Sequence, residues 1–116
     1  MSSQENNNFN CILIAGNKVF EKKDSFYISS SLKELSSLAY TLGLQVVDSS
    51  ILNLKKINPS TFYGKGQIDS MARKASAIDC TYIIFNDEIS PAQFKNIQKI
   101  ILKAKVFDRT GIILEI

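Results

Sequence analysis

Short apolar runs alternate with segments of helical period along most of this chain, and this alternation is what most constrains its fold. Cys11–Gly16 and Thr81–Phe85 are apolar, β-branched or aromatic throughout, as expected for strands buried on both faces of a sheet. Leu44–Val47 and Lys105–Phe107 are shorter runs of the same kind, each followed by an aspartate. Because strands separated by helices pair in parallel through right-handed crossovers, the sequence predicts a small three-layer α/β sandwich. Its mainly parallel sheet has about four strands, with helices on both faces.

The helix boundaries are predicted from capping residues. Ser31 is a suitable N-cap for the first helix, and Glu34 completes a capping-box pattern. The polar segment 17–30 before it is expected to be an ordered loop or a short insertion. A later helix is predicted to begin with Ser90 as its N-cap and Pro91 at its first position.

Length and composition indicate one domain. The chain has 116 residues, 45% of them hydrophobic and 22% charged, and its net charge of +3 is too small to indicate nucleic-acid binding by itself. We predict a flexible polar leader over residues 1–10, the α/β domain over 11–110, and a final segment 111–116. That segment is either a fifth strand or, as we prefer, the start of a truncated helix. No targeting or membrane-spanning segment is present, which predicts a cytoplasmic location.

Several kinds of chemistry are excluded by residue type. The sequence has no histidine, and its two cysteines, Cys11 and Cys80, form no C-x-x-C pair, so no metal site is predicted. It has no phosphate-binding G-x-x-x-x-G-K-[ST] loop and no recognisable pair of nucleophile and base. We therefore expect no catalytic residue and no enzymatic activity in the chain as given.

Acidic residues follow the predicted strands. In a parallel sheet the carboxyl ends of the strands share one edge, where ligands bind. The residues predicted there are Gly16, Asp48, Asp87, Glu88 and Asp108. The carboxylates either hold a magnesium ion with a nucleotide or offset the dipoles of the following helices. We prefer the second interpretation because no phosphate-binding loop accompanies them.

Gly64-Lys65-Gly66 at the start of a predicted helix is the best candidate for contact with phosphate or RNA. Glycines allow close approach of the backbone amides, and the lysine adds positive charge. A flexible turn into a helix has the same sequence, so both interpretations stay open.

Four segments, in this order and spacing, resemble the HflX family of translational GTPases. They are N-P-S-T-F-Y-G-K-G at 58–66, I-F-N-D-E-I-S-P-A-Q at 84–93, the asparagine of K-N-I-Q at 95–98, and V-F-D-R-T-G-I-I-L-E-I at 106–116. Asn86 and Lys95 depart from the family's usual aspartate and arginine. Besides the glycine-lysine-glycine loop, the residues that carry the resemblance are Asn58, Pro59, Thr61, Asp87, Glu88, Ser90, Pro91, Gln93, Asn96, Asp108, Arg109, Thr110 and Gly111.

The resemblance implies an architecture and a partner. HflX proteins carry this α/β domain first, then a long helical hairpin, then the GTPase domain with its GTP and Mg²⁺. They bind the large ribosomal subunit, through ribosomal RNA, and take part in splitting or rescuing stalled ribosomes. The resemblance therefore implies a ribosome-binding or regulatory domain whose full-length parent is a GTPase. The alternative is a small nucleotide-binding module that binds ATP or GTP at Gly64–Gly66.

Overall fold

Strands and helices alternate along residues 9–21 and 25–115, the parts of the chain that the computed structural model describes. The elements are β1 (Asn10–Lys18), a 3-10 turn (Val19–Glu21), α1 (Ser25–Thr41), β2 (Gln45–Leu54), α2 (Lys65–Ala77), β3 (Tyr82–Phe85), α3 (Pro91–Ile100), β4 (Lys105–Asp108) and α4 (Arg109–Glu115). No helix in these ranges is long and apolar enough to cross a membrane. The predicted leader falls outside the described residues at 1–8, and Asn10 already belongs to β1.

The sheet has the order β2-β1-β3-β4, and every neighbouring pair of strands is parallel. β1 is central: Cys11 is in register with Val46 on one side and with Tyr82 on the other. The predicted parallel α/β architecture is confirmed. The choice left open for 111–116 is decided in favour of a helix, since α4 spans Arg109–Glu115.

Helices cover both faces of the sheet and bury a core on each. On one face, α2 and α3 pack on alternate residues of β1 and β3; this core includes Ile12, Ile14, Ile68, Met71, Ala75, Ile83, Phe85 and Ile97. On the other face, α1 and α4 form a core that includes Cys11, Leu13, Ala15, Ile28, Leu32, Leu35, Ile84 and Ile112. Strands buried on both faces explain the continuous apolar runs of the sequence.

Cys11 and Cys80 are buried free cysteines, as the sequence predicts. Burial raises the pKa of the Cys11 thiol from 9.0 to about 12, and the neighbouring Cys80 adds to the increase. Burial also raises the pKa of Cys80. Both side chains therefore act as small apolar groups within the core.

The start of α3 follows the predicted capping. The Ser90 hydroxyl accepts a hydrogen bond from the Gln93 amide at 3.1 Å, and the Gln93 Oε1 accepts one from the Ser90 amide at 2.9 Å. Pro91 occupies the first position of α3, where its missing N–H costs nothing. For α4, Asp108 Oδ1 accepts from the Gly111 amide at 2.8 Å and serves as the N-cap.

The predicted start of the first helix is wrong. α1 begins at Ser25, not at Ser31, and the segment predicted as a loop contains the end of β1 and the first turn of this helix. The reason is Ile28, which is buried one turn before Leu32 and extends the apolar face backwards. Ser31 lies inside the helix, so its predicted capping box does not form.

The predicted end of β2 is also wrong. The strand continues past Asp48 to Leu54, so this aspartate lies in mid-strand and not at the carboxyl end of the sheet. The burial of β2 alternates along its length because it is an edge strand, and Ser49 and Ser50 fit such a pattern. A continuous apolar run is expected only of strands buried on both faces.

Candidate functional site at the carboxyl end of the sheet

The carboxyl ends of β1 and β3 border a polar pocket of about 350 Å³. From β1 the chain leads to β2 on one side, whereas from β3 it leads to β4 on the other, so the pocket lies where the strand order reverses. Ligands of open α/β sheets bind at such positions. The lining includes Gly16, Lys18, Ser31, Asn86, Asp87 and Glu88.

Asp87 is fixed at the inner wall of this pocket. Its Oδ2 accepts a hydrogen bond from the Gly16 amide at 2.7 Å and another from the Tyr63 hydroxyl at 2.7 Å. Burial, together with the charge of Asp87, raises the pKa of Tyr63 well above its ordinary value of 10.0. Tyr63 therefore stays protonated and donates to the carboxylate, and this oxygen of Asp87 is held by the protein itself.

Gly16 has no room for a side chain. A Cβ at this position would lie 2.7 Å from Leu54 Cδ1 and 3.2 Å from Asp87 Oδ2. Gly16 lies within β1, two residues before its end, and not after the strand as the sequence predicted; it allows the end of β2 and the carboxylate after β3 to approach the same stretch of backbone. Its role is packing and hydrogen bonding, which the sequence alone does not distinguish from contact with a ligand.

The loop after β2 is held in shape by its own polar groups. Asn58 Oδ1 accepts from the amides of Ser60 at 2.9 Å and Thr61 at 3.3 Å. Asn58 and Phe62 exchange two backbone hydrogen bonds, and Phe62 has a positive φ of 63°. The buried Thr61 donates its hydroxyl hydrogen to the Tyr63 carbonyl at 2.7 Å. A bulky residue with positive φ is held in place only where its surroundings determine it, as here.

Two side chains of α3 hold this loop in place through hydrogen bonds. Gln93 Nε2 donates to the carbonyls of Asn58 and Pro59 at 3.4 and 3.3 Å. Asn96 Nδ2 donates to the Ser60 carbonyl at 2.9 Å. Three of the four segments that carry the family resemblance therefore lie together at one end of the sheet: 58–66, 84–93 and 95–98. Their positions in the sequence alone do not show that they are neighbours.

Gly64-Lys65-Gly66 forms the start of α2, with Gly64 as its N-cap. The Gly64 amide donates to Gln67 Oε1 at 3.0 Å, and Gln67 Nε2 donates to the Asn53 carbonyl at 3.1 Å. The Lys65 side chain is exposed. No described atom lies within 4 Å of a Cβ placed at Gly66, so its backbone can be approached from solvent.

A second polar cluster links α4 to the pocket. Arg109 Nη2 donates to Asn86 Oδ1 at 3.1 Å and to the Ser31 carbonyl at 3.4 Å. Asn86 Nδ2 in turn donates to the Ser31 hydroxyl at 3.0 Å. The asparagine that departs from the family pattern therefore bridges α1 and α4. Asn86 and Arg109 each follow a neighbouring parallel strand, and this position predicts that they lie close together. The sequence indicated Ser31 only as a helix cap and not as a member of this polar cluster.

The carboxylates predicted at the rim do not converge. Asp48 is in mid-strand and pairs with Lys74 at 2.7 Å. Asp108 caps α4, and Asp87 is turned towards Gly16 and Tyr63. Among the described residues, no group of three or more histidine, cysteine or acidic side chains is placed to hold a metal ion. Of the predicted rim carboxylates, Asp87 and Glu88 line the polar pocket.

Comparison with known proteins identifies relatives for most of the chain. A protein-family model described as GTP-binding GTPase N-terminal matches residues 29–116. The GTPase HflX of Flavobacterium psychrophilum is 35% identical over 116 residues, which are 100% of this chain and 28% of that protein. That of Lacrimispora saccharolytica is 43% identical over 86 residues, or 74% of this chain and 20% of the relative. That of Escherichia coli is 31% identical over 85 residues, or 73% and 20%. The chain thus spans only a fifth to somewhat over a quarter of these relatives.

Proposed function

Because this chain belongs to the family of GTP-binding GTPase N-terminal domains, the amino-terminal domain of HflX proteins, we propose that it is the ribosome-binding and regulatory domain of an HflX-type GTPase. Its partner is the large ribosomal subunit, which it contacts through ribosomal RNA. The whole protein hydrolyses GTP, with GTP and Mg²⁺ held in a separate domain, and acts in splitting or rescuing ribosomes.

The observation that carries this proposal is a cluster of exposed lysines at the carboxyl edge of the sheet. Lys55 and Lys56 follow β2 directly, and Lys65 is the first residue of α2; all three side chains are exposed. We call these three residues the basic rim. Lysines are the side chains that neutralise RNA phosphates. Asp87, at the same edge of the sheet, already accepts two internal hydrogen bonds, so it competes weakly for these cations.

The loop at 58–66 presents part of the basic rim on a preformed support. Asn58 and Thr61 hold the loop internally, and Gln93 and Asn96 hold it from α3. A surface that is ordered before binding loses less conformational entropy when a partner arrives. This explains why a loop of this length carries so many hydrogen bonds without lining a catalytic centre.

The test is co-sedimentation with purified large ribosomal subunits across a series of salt concentrations. The variant Lys55→Glu/Lys56→Glu/Lys65→Glu should bind more weakly, and its salt dependence should fall by about one unit of slope for each lysine that contacts a phosphate. The matched control is Lys99→Glu/Lys103→Glu/Lys105→Glu, which changes the charge equally on side chains that are also exposed. Equal weakening by both variants, or no binding by the unaltered chain at low salt, would contradict the proposal.

Nucleotide binding at Gly64–Gly66 is the second candidate function. It is favoured by the open approach to the Gly66 backbone beside the exposed Lys65 at the start of α2. It is disfavoured by Gln67, whose side chain already accepts from the Gly64 amide. Calorimetry with ATP and GTP in the presence of magnesium tests it. Heat that disappears in Lys65→Ala would support it, and no heat at millimolar nucleotide would exclude it.

A further inference from the structure

The outer edge of β2 is open in the described part of the chain. β2 has 10 residues and stands at the end of the strand order, where β1 is its only hydrogen-bonded neighbour among the described strands. Proteins usually protect such an edge with charge, proline or a very short strand. The first half of β2 has such protection, since it carries Asp48 and an irregular pairing with β1 at Val46–Asp48. The second half, Ser49–Leu54, contains neither a charged residue nor proline, whereas β4 at the opposite edge has only 4 residues. The edge of β2 is therefore available for pairing with another strand.

Open grooves run along both faces of this edge. On the α1 side, a groove of about 280 Å³ is lined in part by Leu13, Leu32, Lys33 and Ile51. On the α2 side, a groove of about 210 Å³ is lined in part by Ile12, Leu52, Met71 and Lys74. The Ile51 side chain is 42% exposed. Neither helix covers β2 completely, so side chains of an added strand would meet a mainly apolar groove on the α2 side. On the α1 side they would meet a mixed groove, which serines and Lys33 line together with the apolar side chains.

The charges of the two grooves differ. On the α2 side, Lys74 is paired with Asp48 at 2.7 Å, which leaves that groove without net charge. On the α1 side, Lys33 forms no ion pair with any described residue, and no acidic residue lines the groove. Lys55 and Lys56 add positive charge where β2 ends. A second copy paired along the same edge by two-fold symmetry would run antiparallel, and its β2 would offer no acidic side chain to Lys33, because the one acidic residue of that strand, Asp48, pairs with Lys74 on the α2 side.

We propose that the outer edge of β2 binds an extended segment of another protein in which acidic and apolar residues alternate. The segment adds a fifth strand to the sheet through main-chain hydrogen bonds. Because successive side chains of a strand point to opposite faces, its apolar residues occupy the α2-side groove and its acidic residues face Lys33. The charge of the edge favours such a partner over a second copy.

Titration of the whole chain with synthetic ten-residue peptides, followed by NMR, tests this inference. One peptide alternates valine with glutamate, and its control alternates valine with lysine. The glutamate peptide should bind at least about tenfold more tightly and should protect amides of Ser49–Leu52 from exchange. Two further peptides carry N-methyl groups on the odd-numbered or on the even-numbered residues. Only one of these two changes should abolish binding, because only every second amide of the added strand faces β2.

Charge reversal separates recognition from folding. Lys33→Glu should remove most of the preference for the glutamate peptide while leaving the binding of the lysine peptide unweakened, a result that mere destabilisation cannot give. Lys99→Glu, on α3, serves as the matched control and should leave the preference unchanged. Equal binding of both peptides, binding of neither, or protection away from β2 would overturn the inference. So would a concentration-dependent dimer whose β2 amides become protected without peptide, since the occupant would then be a second copy.

Discussion

The Tyr63 hydroxyl donates to Asp87 Oδ2 at 2.7 Å, and this single contact joins the loop after β2 to the turn after β3. The same oxygen accepts from the Gly16 amide at the end of β1. Residues of β1, of the loop after β2 and of the turn after β3 therefore meet at one carboxylate.

Tyr63→Phe should lower the free energy of unfolding by about 1–3 kcal/mol, because a buried hydrogen bond to a carboxylate is lost while the ring still fills its space. Urea unfolding followed by circular dichroism measures the change. Tyr40→Phe, at a side chain that is 82% exposed, is the control and should have almost no effect. If the two variants are equally stable, the contact with Asp87 does not stabilise the fold.

Gly16→Ala and Gly66→Ala should change stability in opposite directions. A Cβ at Gly16 meets Leu54 and Asp87, so the first variant should be destabilised by about 1–3 kcal/mol. Gly66 lies within α2 and has open space around its Cβ position, so the second should be stabilised by about 0.4–1 kcal/mol. Melting temperatures of both variants, measured side by side, decide the matter. Stabilisation of both variants would contradict the close contacts around Gly16, and destabilisation of both would contradict the open space around Gly66.

Asp108→Ala should lower the free energy of unfolding by about 0.5–2 kcal/mol, because the Gly111 amide loses its capping acceptor. Asp108→Asn keeps an acceptor oxygen and should restore most of that stability. Thermal melting of the two variants compares them directly. An unchanged melting temperature in the alanine variant would instead point to a role for Asp108 in binding.

Stability should fall as the pH rises from about 9 to 12. The pKa of Cys11 is 9.0 in an exposed thiol and about 12 in the fold, so across this range the unfolded chain loses a proton that the folded chain keeps. The contribution is complete below pH 9 and disappears through pH 12. Unfolding free energies of Cys11→Ala, measured between pH 7 and 11, should therefore depend less steeply on pH. Ile12→Val, a neighbouring core change, should keep the original slope; equal slopes in both would contradict the assignment to Cys11.

The central strands were predictable from the sequence, whereas the edge of the sheet was not. Cys11–Ala15 of β1 and the whole of β3 are apolar because both of their faces are covered. β2 is only partly covered by helices, and because it contains serines, the continuation of the strand through the six residues after Asp48 was not predicted. The start of α1 was missed for a related reason: Ser29-Ser30-Ser31 has the composition of a helix cap, and only the burial of Ile28 shows that the helix has already begun.

The candidate site was predictable as a place but not as a set of contacts. The rule that strand carboxyl ends share one edge correctly placed Gly16, Asp87 and Asp108 there. It could not show that Asp87 is bound by Tyr63, or that Gln93 and Asn96 hold the loop at 58–60. Those contacts depend on where each helix lies relative to the end of the sheet. Tertiary packing determines that position, and the local sequence does not.

The position of β1 has a consequence for the order in which this protein is made. The central strand is synthesised first, yet the Gly16 amide meets its acceptor on Asp87 only 71 residues further along the chain. Until β3 has left the ribosome, one edge of β1 has no hydrogen-bonded partner, although α1 and α2 can already pack on its two faces. The nascent chain therefore carries an unpaired strand edge until residue 85 has been synthesised. The sheet is completed only when β3 pairs with β1 and β4 joins β3.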